Sequence, residues 1–200
     1  MNLETYTAFA FFAIVMTGTP GVGNLTMMGI GQTTGFRSAL PFLAGTVAGM
    51  FALNVFVGLG LGGLFLASPK IAWGMKIGGM GYICYLGWKL LTMQLAVGSV
   101  DKRFTFWEGV VLHPLNPKSW AMSVVGFSQL ADPSVPPWMQ MAIFVPTFMT
   151  FQALFHSTWG LAGVAIMRTL KSRRILVGVN CLLVVVMVGA TAYALFLSPA

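Results

Sequence analysis

Acidic side chains are nearly missing from this chain: Glu4, Asp101, Glu108 and Asp132 are all it has, against eleven Lys and Arg. Charge of either sign is scarce, at 8% of residues, where a soluble domain carries about 25%. With 57% hydrophobic residues and a mean hydropathy of +0.84, too little polar surface remains to cover a water-soluble particle. The solvent must be a bilayer. At about 20 apolar residues per crossing, 200 residues hold six or seven helices and no separate soluble domain. Cysteine is equally scarce. Cys84 and Cys181 both lie inside apolar runs, without a CxxC or any metal-ligand spacing, so neither a disulfide framework nor a metal site is expected. The shortage of acids also argues against a carboxylate proton relay and leaves Glu108 as an interfacial residue. No cofactor is implied.

The net charge of +7 does not indicate a nucleic-acid partner, because the basic residues stand at loop positions between apolar runs. Met1-Asn2-Leu3-Glu4 lacks a basic leader, so the first apolar run is expected to be a retained helix. Six runs follow one another: about Tyr6 to Gly31, Ala39 to Leu66, Ile71 to Leu91, Phe106 to Leu130, Trp138 to Met167 and Ile175 to Leu197. Eight basic residues fall on one side: Arg37, Lys89, Lys102, Arg103, Arg168, Lys171, Arg173 and Arg174. The positive-inside rule then places both termini outside the cytoplasm. Five crossings with a re-entrant hairpin satisfy the same pattern.

Six crossings divide into two inverted halves of three within one transporter domain, about 1–95 and 104–200. In each half the first helix is the one interrupted: at Thr19-Pro20-Gly21 in the first, and at His113-Pro114-Leu115-Asn116-Pro117-Lys118 in the fourth. Matching breaks point to a secondary transporter whose site lies where the helices open. Proline there removes a donor and frees carbonyls that lipid cannot satisfy.

Lys118, close to mid-span, is costly unless it faces a cavity, where its ammonium would hold a substrate carboxylate. The expected substrate site is therefore Pro20, Gly21 and Asn24 with Asn116, Pro117 and Lys118, the opened carbonyls taking the substrate's ammonium. His113 and His156, which titrate near neutral pH, are candidates for proton coupling and equally for interhelical hydrogen bonds. Gly45-x-x-x-Gly49, Gly58-x-Gly60-x-Gly62-Gly63 and Gly74-x-x-x-Gly78 with Gly79 and Gly81 have the spacing of close helix packing. Trp107, Trp138 and Trp159 read mostly as interfacial anchors.

An ion or metal exporter would want clustered His, Cys or acidic ligands, and the sequence shows none. An intramembrane thiol-transfer enzyme would use Cys84 and Cys181, one in the third helix of each half.

Several stretches, taken in order, resemble the LysE/RhtB family of bacterial amino-acid exporters. They are Thr19-Pro20-Gly21, Gly35-Phe36-Arg37 with Gly45 and Gly49, Lys76-Ile77-Gly78-Gly79-Met80-Gly81-Tyr82 with Leu86-Gly87-Trp88, and Asn116-Pro117-Lys118. Trp159-Gly160-Leu161-Ala162-Gly163 is similar to the cysteine/O-acetylserine exporter branch. The family's usual Thr-Pro-Gly-Pro is here completed by Val22. The resemblance implies a non-enzymatic exporter in the bacterial inner membrane. Its partners would be protons, the lipid bilayer and an amino acid or small zwitterionic derivative, with the proton-motive force driving alternating access. It leaves room for a homo-oligomer.

Overall fold

The computed structural model describes residues 3–61, 69–95, 103–129, 134–170 and 172–197. Met1, Asn2, Gly62, Gly63, Leu66, Asp101, Lys102, Leu130, Asp132 and Lys171, singled out above, lie outside the described residues. Those described form eight helices and no strand: α1 Leu3–Gly18, α2 Val22–Thr34, α3 Phe36–Phe56, α4 Pro69–Leu95, α5 Phe106–Leu112, α6 Pro117–Gln129, α7 Pro137–Thr169 and α8 Arg173–Ala192. Wider π turns extend α3 over Val57–Leu61 and α8 over Tyr193–Leu197. Among the described residues three helices are long and apolar enough to cross a bilayer: α3 with its extension, α7 and α8. A fourth crossing results if α1 and α2, bent by 49° at their break, form one span.

Local chemistry sets the boundaries. Proline without an N–H ends α1's ladder after Gly18, and a second interruption between Leu112 and Pro117 separates α5 from α6. Gly35, at φ 86°, turns the chain between α2 and α3 within one residue, a conformation that favours glycine. At the start of α5, Thr105 Oγ1 accepts from Glu108 N while the Glu108 carboxylate accepts from Thr105 N, a capping box.

The packing is selective. α2 lies along α7, α3 along α5 and also against α7, and α4 against α8. In the first two interfaces backbones meet through glycine. A Cβ on Gly31 would overlap the carbonyl of Gly160, and one on Gly163 that of Met28. On α3 and α5, a Cβ on Gly45 would overlap the carbonyl of Phe106, and one on Gly109 that of Phe42. Lipid gives helices no hydrophobic reason to associate, so this close dispersion contact is a main source of cohesion. Gly74, Gly78 and Gly81 of α4 meet no atom within 4 Å, so their motif spacing does not mark an interface among the described residues.

Two apolar clusters fill the interior. One joins Val22, Leu25, Phe42, Leu86 and Leu112. The other joins Phe9, Ala13, Met50, Met122, Phe144 and Phe148, with Phe9 stacked on Phe144 at 3.7 Å between ring centres. Polar side chains fall between members of the two clusters on α3 and across the second break: Thr46 between Phe42 and Met50, and His113 and Ser119 between Leu112 and Met122, while Asn24 is buried just after the first break. A polar layer thus crosses the bundle at the level of the breaks.

Glu108 ties α4 to α5. Its carboxylate accepts from Lys89 Nζ at 2.5 Å, Tyr85 Oη at 2.5 Å and Thr105, while Tyr82 Oη donates to its backbone carbonyl. Lys89 Nζ also donates to the Arg103 carbonyl and lies over the Phe104 ring at 4.8 Å. This lysine, counted by sequence among the loop-edge charges, is a buried member of an ion pair. Removing one partner of such a pair leaves the other uncompensated, at a cost of about 3 kcal/mol or more. Glu108→Leu is therefore expected to lower the melting temperature of the purified protein by several degrees, and Lys89→Met with Glu108→Leu to recover much of the loss.

Candidate functional site

The breaks border two pockets, a polar lobe and a larger one, whose linings share Gly21, Val22, Asn116 and Lys118. The polar lobe, with a volume of 30 Å³, adds Thr19, Asn24, His113, Ser119, Gln152 and His156 to its walls. The larger lobe, 230 Å³, is walled by Pro20, Leu25, Pro117 and the far end of α8 from Val186 to Ala194. The structure therefore brings together all eight residues expected from sequence: Pro20, Gly21, Asn24, Asn116, Pro117, Lys118, His113 and His156.

Lys118 is the second residue of α6, immediately after the break, and its Nζ crosses to donate to Thr19 Oγ1 at 2.8 Å. Thr19 passes its own proton to the Met16 carbonyl. The backbone N–H of Lys118 is held by Asn116 Oδ1 at 3.0 Å, so the asparagine aims the lysine by capping α6. Across the gap Gly21 precedes α2 without a side-chain cap, and the first bond back to its carbonyl comes from Leu25 N. The amides of the first turn of α2 therefore stand at the same cavity as the ammonium, giving that wall a positive potential. Val22 is the first residue of α2 and packs into the apolar cluster, so here the helix restarts without the second proline.

Several of the freed carbonyls already accept a side-chain hydrogen bond. Asn24 Nδ2 donates to the carbonyls of Thr17 at 2.7 Å and Thr19 at 2.9 Å. Trp159 Nε1 donates to the Gly18 carbonyl at 3.1 Å, which makes this tryptophan a partner of the break rather than an interfacial anchor. At the other break Trp120 Nε1 donates to the Pro114 carbonyl at 2.8 Å. Trp107 and Trp138, by contrast, are exposed on the bundle surface.

The histidines form a buried network, their rings stacked 5.8 Å apart. Gln152 Nε2 donates to the Thr46 carbonyl at 3.1 Å and lies 2.8 Å from His113 Nε2. Since a carbonyl can only accept, the amide nitrogen is fixed there, and His113 Nε2 must be an acceptor. Its proton then resides on Nδ1, which faces Ser119 Oγ at 2.7 Å. Thr46 Oγ1 donates to the Leu43 carbonyl, so His156 Nδ1, 3.2 Å away, donates to Thr46 and leaves Nε2 as the acceptor atom. That atom lies against Gly23, where any side chain would overlap it.

Gln152 escaped the sequence reading. Its signal was its position four residues before His156, which places both on one face of α7. Among the described residues no three His, Cys, Asp or Glu side chains converge, and the free thiols of Cys84 and Cys181 lie on the exterior without lining the cavity.

Comparison with known proteins finds membrane and efflux proteins. An uncharacterized membrane protein of Vibrio cholerae is 25% identical over 186 residues, covering 90% of this chain and 91% of its own. The homoserine/homoserine lactone efflux protein of Salmonella typhimurium is 27% identical over 152 residues, 72% of each chain. The cysteine/O-acetylserine efflux protein of Salmonella paratyphi A is 25% identical over 166 residues, 82% of this chain and 85% of that one. No solved structure matches. The LysE type translocator profile matches residues 14–197, and the chain belongs to that family.

Proposed function

We propose that this protein exports amino acids or small amino-acid derivatives across a bacterial inner membrane, driven by the proton-motive force. The observation that carries the reading is Lys118, which reaches from one helix break to Thr19 at the other inside a shared cavity. A lysine held between two opened helix ends fits a carboxylate, and relatives of this chain are efflux proteins for homoserine and for cysteine and O-acetylserine.

In this reading the chain crosses six times as two inverted halves: α1 with α2, α3 and α4, then α5 with α6, α7 and α8. Exchanging the halves maps the contact of α3 with α7 and that of α4 with α8 onto themselves, and both packings are present. Both termini lie on the periplasmic side by the positive-inside rule.

The glycine-lined interfaces involve α2, which leads to Arg37, and α5, which follows Arg103. The larger lobe lies at the other end of α8 from Arg173 and Arg174. This conformation is closed toward the basic, cytoplasmic side, and alternating access requires a second one in which those interfaces part. Pro20, Gly21, Asn24, Asn116 and Pro117 shape the site around the substrate, and protonation of His113 or His156 couples the cycle to the gradient.

Cells overproducing the protein and fed dipeptides are expected to release the liberated amino acid severalfold faster than control cells, and to stop when an uncoupler collapses the proton gradient. Equal release from both strains for every dipeptide tried would remove the export reading.

A further inference from the structure

Polar atoms buried without partners are rare, and two of the residues that carry one line this cavity. Asn24 and Gln152 are 3% and 2% exposed, and both line the polar lobe. Each spends its amide nitrogen on protein: Asn24 on the Thr17 and Thr19 carbonyls, Gln152 on the Thr46 carbonyl and His113. Each is left with a carbonyl oxygen that has no hydrogen-bond partner among the described residues. His156 Nε2, the acceptor atom left by the bond to Thr46, belongs to the same wall. Asn24, Gln152 and His156 thus line the same small lobe as Lys118 and the open end of α2.

The geometry points to a seat for the α-ammonium of the substrate formed by Asn24 Oδ1, Gln152 Oε1 and His156 Nε2, with the carboxylate on Lys118. This inference rests on the export reading and specifies its substrate as a zwitterionic α-amino acid with a free amino group. An ammonium has three donors to offer and no acceptor, which matches a wall of acceptors and excludes an acylated nitrogen. The side chain would enter the larger lobe, where Leu25, Val186, Met187, Ala190 and Ala194 offer mostly apolar surface and no acidic group to hold a cationic side chain. Gln152 has a dual part: its nitrogen fixes the His113 tautomer and its oxygen receives substrate.

The test is transport by the full-length protein, purified and reconstituted in liposomes, of labelled homoserine, threonine, cysteine and leucine beside the N-acetyl form of each. Wild-type protein should move at least one free amino acid and its N-acetyl counterpart at under a hundredth of that rate. Gln152→Leu should raise the KM for the free amino acid tenfold or more. Comparable movement of free and N-acetylated forms would overturn the ammonium seat while leaving export intact, and the wild-type comparison stands even if the variant fails to fold. A correctly inserted Gln152→Leu protein with wild-type KM would overturn the assignment to Gln152. Movement of none of the four would overturn this inference together with the export reading beneath it.

Discussion

Lys118→Ala should abolish amino-acid transport while leaving a folded, inserted protein. The lysine's side-chain partner, Thr19, retains its bond to the Met16 carbonyl when the ammonium is gone, and the cap on α6 runs from Asn116 to the backbone of residue 118. Little structure therefore depends on the side chain. What depends on it is the substrate carboxylate, which would enter a lobe whose lining loses its lysine ammonium. Truncating one side of a buried, hydrogen-bonded charge pair costs about 2–5 kcal/mol, or about 30-fold to several-thousand-fold in affinity. Uptake into inverted membrane vesicles measures this. Transport by the variant at more than a third of the wild-type rate would place the carboxylate elsewhere. Lys118→Arg is expected to recover only part of the activity, since a planar fork does not reproduce a point charge on a flexible stem.

The second large effect lies in the glycine-lined interfaces. Gly45→Ala and Gly163→Ala each place a methyl group onto a backbone carbonyl, of Phe106 and of Met28. A carbonyl inside a helix cannot rotate aside as a side chain can, so the whole of α5 or α2 must move. Overpacking of this kind costs about 1–3 kcal/mol, which for a chain this long lowers the melting temperature by about 3–10 °C. Gly74→Ala and Gly78→Ala, whose methyl groups would meet nothing within 4 Å, are expected to leave the melting temperature unchanged or slightly raised, alanine being the better helix former. Thermal unfolding of the four detergent-purified variants distinguishes the two pairs. If all four behave alike, close backbone contact is not what joins these helices.

That contrast shows where the sequence is legible. All four glycines stand in Gly-x-x-x-Gly or similar spacing, yet the spacing does not say which face of a helix meets a neighbour. Prolines divide in the same way. Pro20 and Pro117 mark the breaks, whereas Pro41 and Pro146 lie inside α3 and α7, which continue past them. The breaks were readable because Gly18 and Gly21 flank Pro20, and because Pro114 and Pro117 fall within one turn. Lys118 was readable because an ammonium so far from either end of an apolar run is poorly placed to snorkel to the interface.

Other features were hidden for physical reasons. Neutral amides such as Gln152 carry no charge or periodicity to distinguish them from packing residues, and only the fold shows that its oxygen lacks a partner. The satisfaction of the opened carbonyls by Asn24, Trp120 and Trp159 was equally hidden, because those bonds depend on which side chains the bends bring near. The Lys89–Glu108 pair joins residues on separate helices, and no spacing rule links them.

The most direct measurement is counterflow in liposomes containing only the purified protein, loaded with an unlabelled neutral amino acid and diluted into a trace of its labelled form. Transient accumulation of label, for homoserine, cysteine or another neutral amino acid, is the expected result, and Lys118→Ala should eliminate it. Folded, correctly inserted protein that exchanges none of the neutral amino acids would contradict the central claim that the two opened helices form an amino-acid site.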